Sequence, residues 1–126
     1  MRELTKLLGV LSDESRLRAL NLIQERECCV CEVMQVMQIS QSKASRILSA
    51  LYDVGVLKLR KEGRWAYYSI DPQATEGHTG EILAGIRSAL ANDPTALDDL
   101  ERLKKAHRLG PSCGTECGKV APVRLG

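Results

Sequence analysis

The stretch "RECCVCEV", Arg26 to Val33, places Cys28, Cys29 and Cys31 within four positions of a chain that has five cysteines in 126 residues. The other two, Cys113 and Cys117, stand in a Gly- and Pro-rich tail, "GPSCGTECGKVAPVRLG". Thiolates select soft ions, and they also oxidise. An odd count argues against a closed disulfide framework. The N-terminus, "MRELTKLLGVLSDESRL", picks up charge too soon for a signal peptide, and no apolar run is long enough to span a bilayer. A cytoplasmic protein with no membrane partner is expected, and structural disulfides are rare in that compartment. The plain alternative is that the thiols simply pack as small apolar groups. Their crowding beside Glu27 and Glu32 argues against it.

The elements that must position these thiols are mostly helical. Phe is absent and aromatics make up 3%, so the core falls to Leu, Ile, Val and Ala, which favours helix. "RELTKLLGV" reads as a short helix with Leu4, Leu7, Leu8 and Leu11 on one side. A second helix follows, with Ser12 as its expected N-cap and Asp13 and Glu14 in its first turn. The cysteines run into a short helix with Val30, Val33, Met34 and Met37 inward. "ISQSKASRILSALYDVGV" is the clearest helix. Ser40 caps it, Ala44, Ile47, Leu48, Leu51 and Val54 form its apolar stripe, and Gly55 ends it.

"VLKLRKEGRWAYYSI" changes to a period of two, with Lys61-Glu62-Gly63-Arg64 as the turn of a hairpin. Helix returns over residues 75–91, and Asp93-Pro94 opens a last helix running to about His107. The fold class is therefore mostly α with a β-hairpin wing. The expected organisation is one domain over residues 1–108 and a flexible Cys-containing tail over 109–126.

Charge is unevenly distributed. Residues 40–68 carry six cations against two carboxylates, whereas residues 76–106 carry four against six. Three helices and a hairpin with a basic tip make a winged helix-turn-helix, whose third helix enters the major groove of double-stranded DNA. Gln41, Ser42, Lys43, Ser45 and Arg46 form a polar face suited to base edges and phosphates. Arg60, Lys61 and Arg64 on the hairpin suit phosphates.

From about residue 4 to 107 the chain resembles the ArsR/SmtB family of metal-sensing repressors. The resemblance rests on "LSDESRLRAL", "ECCVCEV" and "SQSKASRILSALYDVGVLKLRKEGRWAYY", in that order. It implies a homodimer held by the first and last helices. It further implies a repressor that leaves its operator when metal binds, and two-fold symmetry of a dimer then demands an inverted-repeat operator. Family members that sense arsenic and cadmium commonly carry Glu-x-Cys-Val-Cys-Asp-Leu, matched here by Glu27, Cys29, Val30, Cys31, Glu32 and Val33. Where many arsenic sensors have a third cysteine this chain has Met34, a poor donor, and Cys28 is extra. The family's zinc site finds little support, since His78 and His107 lack the paired spacing.

A helix turns about 100° per residue. Cys29 and Cys31 then fall nearly on opposite faces and cannot both hold one ion while the helix is intact, whereas Cys28 and Cys31 share a face. Either Cys28 and Cys31 clamp a folded turn, or chelation by Cys29 and Cys31 unwinds the helix start. Arsenite and antimonite want three thiolates; cadmium, lead and zinc want three or four ligands. The third thiolate falls to Cys28, Cys113 or Cys117, and no organic cofactor is indicated. The alternatives are a redox sensor closing a disulfide between the Cys28–Cys31 group and the tail, and an enzyme such as a thiol reductase. The enzyme reading lacks a Cys-x-x-Cys at an expected strand-to-helix junction and the phosphate-binding Arg loop of arsenate reductases.

Overall fold

The computed structural model describes residues 1–107. The expected tail, with Cys113 and Cys117, lies outside the described residues. Helix α1 (Arg2–Leu11) buries Leu7 and Leu11, one turn apart, and leaves Leu4 and Leu8 exposed. Helix α2 (Glu14–Glu25) is capped by Asp13, whose carboxylate accepts from the Arg16 amide at 3.0 Å. Ser12, the expected cap, instead donates its hydroxyl to the Gly9 carbonyl at 2.8 Å. Both residues suit the cap position chemically, and the break between α1 and α2 decides between them.

The chain leaves α2 in extended conformation at Arg26 and forms β1 (Cys28–Cys29), which sequence periodicity did not reveal. Helix α3 (Val30–Met37) follows at once and is buried throughout from Cys31 to Met37. Gln38 turns the chain with a left-handed φ of +55, and α4 (Gln41–Asp53) begins after Ser40, whose hydroxyl oxygen accepts from the Lys43 amide at 3.1 Å. Helices α3 and α4 are the helix-turn-helix. Their packing rests on Ala44, Ile47, Leu48 and Leu51, one face of α4. Gly55, at φ +84, closes α4 as expected.

Strands β2 (Leu57–Glu62) and β3 (Trp65–Ile70) pair antiparallel from Leu57 opposite Ile70 to Glu62 opposite Trp65. The turn is therefore Gly63-Arg64, with Gly63 at φ +64, a geometry that matches the natural strand twist. Strand β1 pairs with the free side of β3, giving the order β1-β3-β2. A 3₁₀ turn (Pro72–Thr75) leads to α5 (Gly77–Leu90), and Asp93 caps α6 (Pro94–Lys105) by accepting from Ala96 at 3.0 Å.

The last helix packs back over α2 and α3. Arg18 of α2 reaches both carboxylate oxygens of buried Asp99, at 2.8 and 2.9 Å. Asn21 donates to the Ala96 carbonyl, and Arg102 to that of Val36. Helix α5 is covered much less: Leu83 is its buried residue, while Ile82, Ile86 and Leu90 are half-buried. Among the described residues, no helix is long and apolar enough to cross a membrane.

Candidate thiol sensor and nucleic-acid interface

The cysteines occupy the junction between β1 and α3. Cys29 is the last strand residue and the N-cap of the helix, with φ −87 and ψ 166. Only Cys31 is helical. The expectation that Cys29 and Cys31 lie on opposite helix faces therefore fails. Because Cys29 is extended, its sulfur swings onto the helix start, and Cys29 and Cys31 are joined as a disulfide. No unwinding is needed to bring the two sulfurs together.

Cys28 goes the other way. Successive residues of a strand face opposite sides, and its buried thiol points to the Arg26 carbonyl at 3.3 Å and the Leu22 carbonyl at 3.9 Å. The junction also corrects the argument used against an enzyme. Cys28 and Cys31 do have Cys-x-x-Cys spacing at a strand-to-helix junction, but the sulfurs that meet are those of Cys29 and Cys31.

The carboxylate of Glu32 holds this junction. It accepts from the Cys29 amide at 2.9 Å, in a capping-box arrangement, and pairs with Arg26 at 2.8 Å. Burial works against the Arg26 charge, but the hydrogen bond and attraction of Glu32, with Cys28 adding, outweigh it and raise its pKa. The spacing Cys29-x-x-Glu32 was a visible signal, overlooked because the cap is a cysteine rather than Ser or Thr.

The end of α6 closes over Cys31. The His107 carbonyl lies 3.9 Å from its sulfur, and Gln35 fixes His107 by donating to that carbonyl and accepting from the His107 amide. Cys28, Cys29 and Cys31 are all at most 1% exposed. Among the described residues, no three His, Cys, Asp or Glu side chains converge as a metal site.

On α4, Gln41, Ser42, Lys43 and Arg46 are exposed and Ser45 is half-buried, all on the side away from the core. Lys61 and Arg64 at the hairpin tip are exposed too. Arg60 differs from them. Its guanidinium donates to both oxygens of Glu27, at 2.8 and 3.3 Å, also pairs with Glu62, and sits 4.3 Å over the Tyr67 ring. Its hydrogen bonds to Glu27 first and Glu62 second raise its pKa. Of the three hairpin cations expected at phosphates, this one is already matched by two carboxylates.

Burial pushes the Tyr68 phenol pKa up, partly offset by the nearby Ser49 hydroxyl of α4.

The family profile described as "Bacterial regulatory protein, arsR family" matches residues 13–58, from the cap of α2 into β2. The arsenic resistance transcriptional regulator ArsR1 of Pseudomonas putida is 40% identical over 67 residues, which is 52% of each chain. The matched stretch thus spans about half the length of that relative. An arsenical resistance operon repressor of Staphylococcus xylosus is 36% identical over 70 residues, 56% of this chain and 67% of that protein. A CadC homolog of Staphylococcus aureus, a cadmium resistance regulator, is 39% identical over 72 residues, covering 56% and 60%. Among solved structures, reduced HlyU from Vibrio cholerae superposes with a TM-score of 0.61 at 25% identity, over 74% of this chain and 90% of that one. The helix-turn-helix, the wing and these relatives agree: the chain belongs to the arsR family of bacterial regulatory proteins.

Proposed function

We propose that the protein is a transcriptional repressor that binds an inverted-repeat operator as a homodimer and releases it when arsenite or antimonite engages Cys29 and Cys31. The observation that carries the reading is the meeting of these two sulfurs at the β1–α3 junction. A trivalent metalloid takes soft thiolates as its ligands, and a dithiol already brought together pays little ordering entropy to hold it. Cadmium, lead or zinc remain alternative inducers with the same donors. Relatives named for arsenic and for cadmium resistance support the class.

Cys28 is the weaker source of a third thiolate, because its thiol lies on the far side of β1. Cys113 and Cys117 are the better one. Cys113 follows His107 by six residues, a reach of about 20 Å when extended, and His107 starts beside Cys31.

In this reading α4 enters the major groove with Arg46 and its small polar neighbours, and Lys61 and Arg64 take phosphates. Exposed Leu4 and Leu8 of α1, the thinly covered face of α5 and exposed Leu97 of α6 supply the dimer contact. Sedimentation at micromolar concentration should give a dimer; a monomer would contradict this. Titrating the operator complex with arsenite tests the whole reading. Wild type should release, and Cys29→Ser with Cys31→Ser should hold the operator through the titration. Release of the double variant at the wild-type arsenite concentration would refute it.

The disulfide also makes this pair a site of oxidation, which in this reading blocks the inducer rather than releasing the operator. The expected redox bond joined the Cys28–Cys31 group to the tail, whereas the observed bond lies within the group. One peroxide molecule oxidises the two thiols to the disulfide and is itself reduced to two waters, so metalloid and peroxide compete for the same sulfurs.

A further inference from the structure

The register of the small sheet aligns three chemically different residues. Cys29 stands opposite Tyr67, and Tyr67 stands opposite Arg60. Directly opposed residues on antiparallel strands share a face, so the row runs from thiol to ring to guanidinium on one side of the sheet. Glu27, two positions before Cys29, returns to that face and meets Arg60 through both of its oxygens. The loop of contacts is therefore closed: Glu27 to Cys29 along the chain, Cys29 to Tyr67 to Arg60 across the sheet, Arg60 back to Glu27.

We propose that Arg60 is a positioning residue of the sensor, a clamp that holds the thiol segment against the wing in the conformation seen here. The inference rests on the reading of Cys29 and Cys31 as inducer ligands. In this conformation the polar face of α4 is open and β1 is paired. A bidentate Arg–carboxylate contact fixes orientation as well as charge, and stacking of the guanidinium on Tyr67 fixes its height above the sheet. Contacts that belong to one conformation bias the equilibrium toward it. The sulfurs of Cys29 and Cys31 are buried and in direct contact, so a metalloid entering between them must push Cys29 outward on β1, and the clamp opposes that displacement. This assigns Arg60 a role different from that of Lys61 and Arg64. They serve the operator directly; Arg60 sets how much inducer is needed to leave it.

The two roles give opposite signs for one substitution. As a clamp partner, Glu27→Gln loosens the thiol segment. Full-length Glu27→Gln protein on an operator duplex should then release at about fivefold lower arsenite than wild type, with no gain in operator affinity. Were Arg60 only a phosphate ligand, Glu27→Gln would unmask its charge, tighten operator binding and steepen the salt dependence by about one unit. Arg60→Gln should match Glu27→Gln in its arsenite shift, and the double variant should shift no further than either single one. Thiolate-to-arsenic absorption, read in parallel, should show the same stoichiometry in all four proteins. Unchanged arsenite sensitivity in Glu27→Gln, tighter operator binding, or additive shifts in the double variant would each overturn the clamp. Loss of the absorption in wild type, or release of the Cys29→Ser, Cys31→Ser protein at the wild-type arsenite concentration, would instead overturn the sensor reading beneath it.

Discussion

The sulfur of Cys31 lies 3.9 Å from the carbonyl oxygen of His107, the last described residue of the chain. The described chain therefore ends at the thiol junction itself. Cys113→Ser with Cys117→Ser should raise the arsenite needed for release by at least about tenfold, since two thiolates hold a trivalent centre less firmly than three. Cys28→Ser should leave the response within about twofold, because its thiol faces the Leu22 and Arg26 carbonyls on the other side of β1. Operator release curves for both variants decide it. A normal tail variant with an insensitive Cys28→Ser would reverse the assignment.

Arg46 is exposed on α4 amid small polar residues, on the face proposed to meet the operator. Arg46→Ala should lower operator affinity by about 1–3 kcal/mol, as for the loss of a good base or phosphate contact. Lys61→Ala or Arg64→Ala should each lower the slope of log affinity against log salt by about one unit. Fluorescence anisotropy across a salt series reads both. Unaltered affinity in a well-folded Arg46→Ala protein would remove α4 from the interface.

Much of this was legible beforehand, and the exceptions share a cause. Ser40, Gly55 and the Ala44–Leu51 stripe announced α4 because cap, stop and period all agree around one thirteen-residue helix. The cysteine junction was misread because β1 is two residues long, too short for any period to register. Its existence depends on pairing with Tyr67 and Tyr68, some forty positions away. Arg60 looked like Lys61 and Arg64 for the same reason: the carboxylate that claims it lies thirty-three positions earlier. Local chemistry could be read from local sequence; contacts made by non-local pairing could not.

Mild peroxide treatment should make the protein blind to arsenite rather than displace it from operator DNA. With the Cys29–Cys31 bond closed, α3, α4 and the wing are intact, and neither of the two sulfurs proposed as inducer ligands is left as a thiolate. Operator binding after oxidation should stay within about twofold of the reduced protein, and a thiol reductant should restore the arsenite response. Release by peroxide alone would count against this and for a disulfide elsewhere.

Asp99 is 1% exposed and gives both oxygens to Arg18, whose side chain is 27% exposed. The hydrogen bond to Asp99 first, and its charge next, raise the Arg18 pKa against the cost of burial. Asp99→Ala strands a half-buried cation between α2 and α6 and should cost about 2–3 kcal/mol, below a fully buried pair because water reaches Arg18. Adding Arg18→Met should recover most of that loss. Urea unfolding checks both, and equal stability of Asp99→Ala and wild type would contradict the account.

The brevity of β1 sets a clock as well as a shape. It is an edge strand of two residues, and the thiols at its end are sealed from solvent. A ligand reaches them when that edge frays, and short edges open far more often than the domain unfolds. Capture is then gated: as arsenite rises, the rate of operator release should climb and level off at the opening rate of β1, with further arsenite adding no speed. On the proposed reading, the ceiling on how fast operator release could follow arsenite is set by two backbone pairs, Cys28 with Tyr68 and Cys29 with Tyr67.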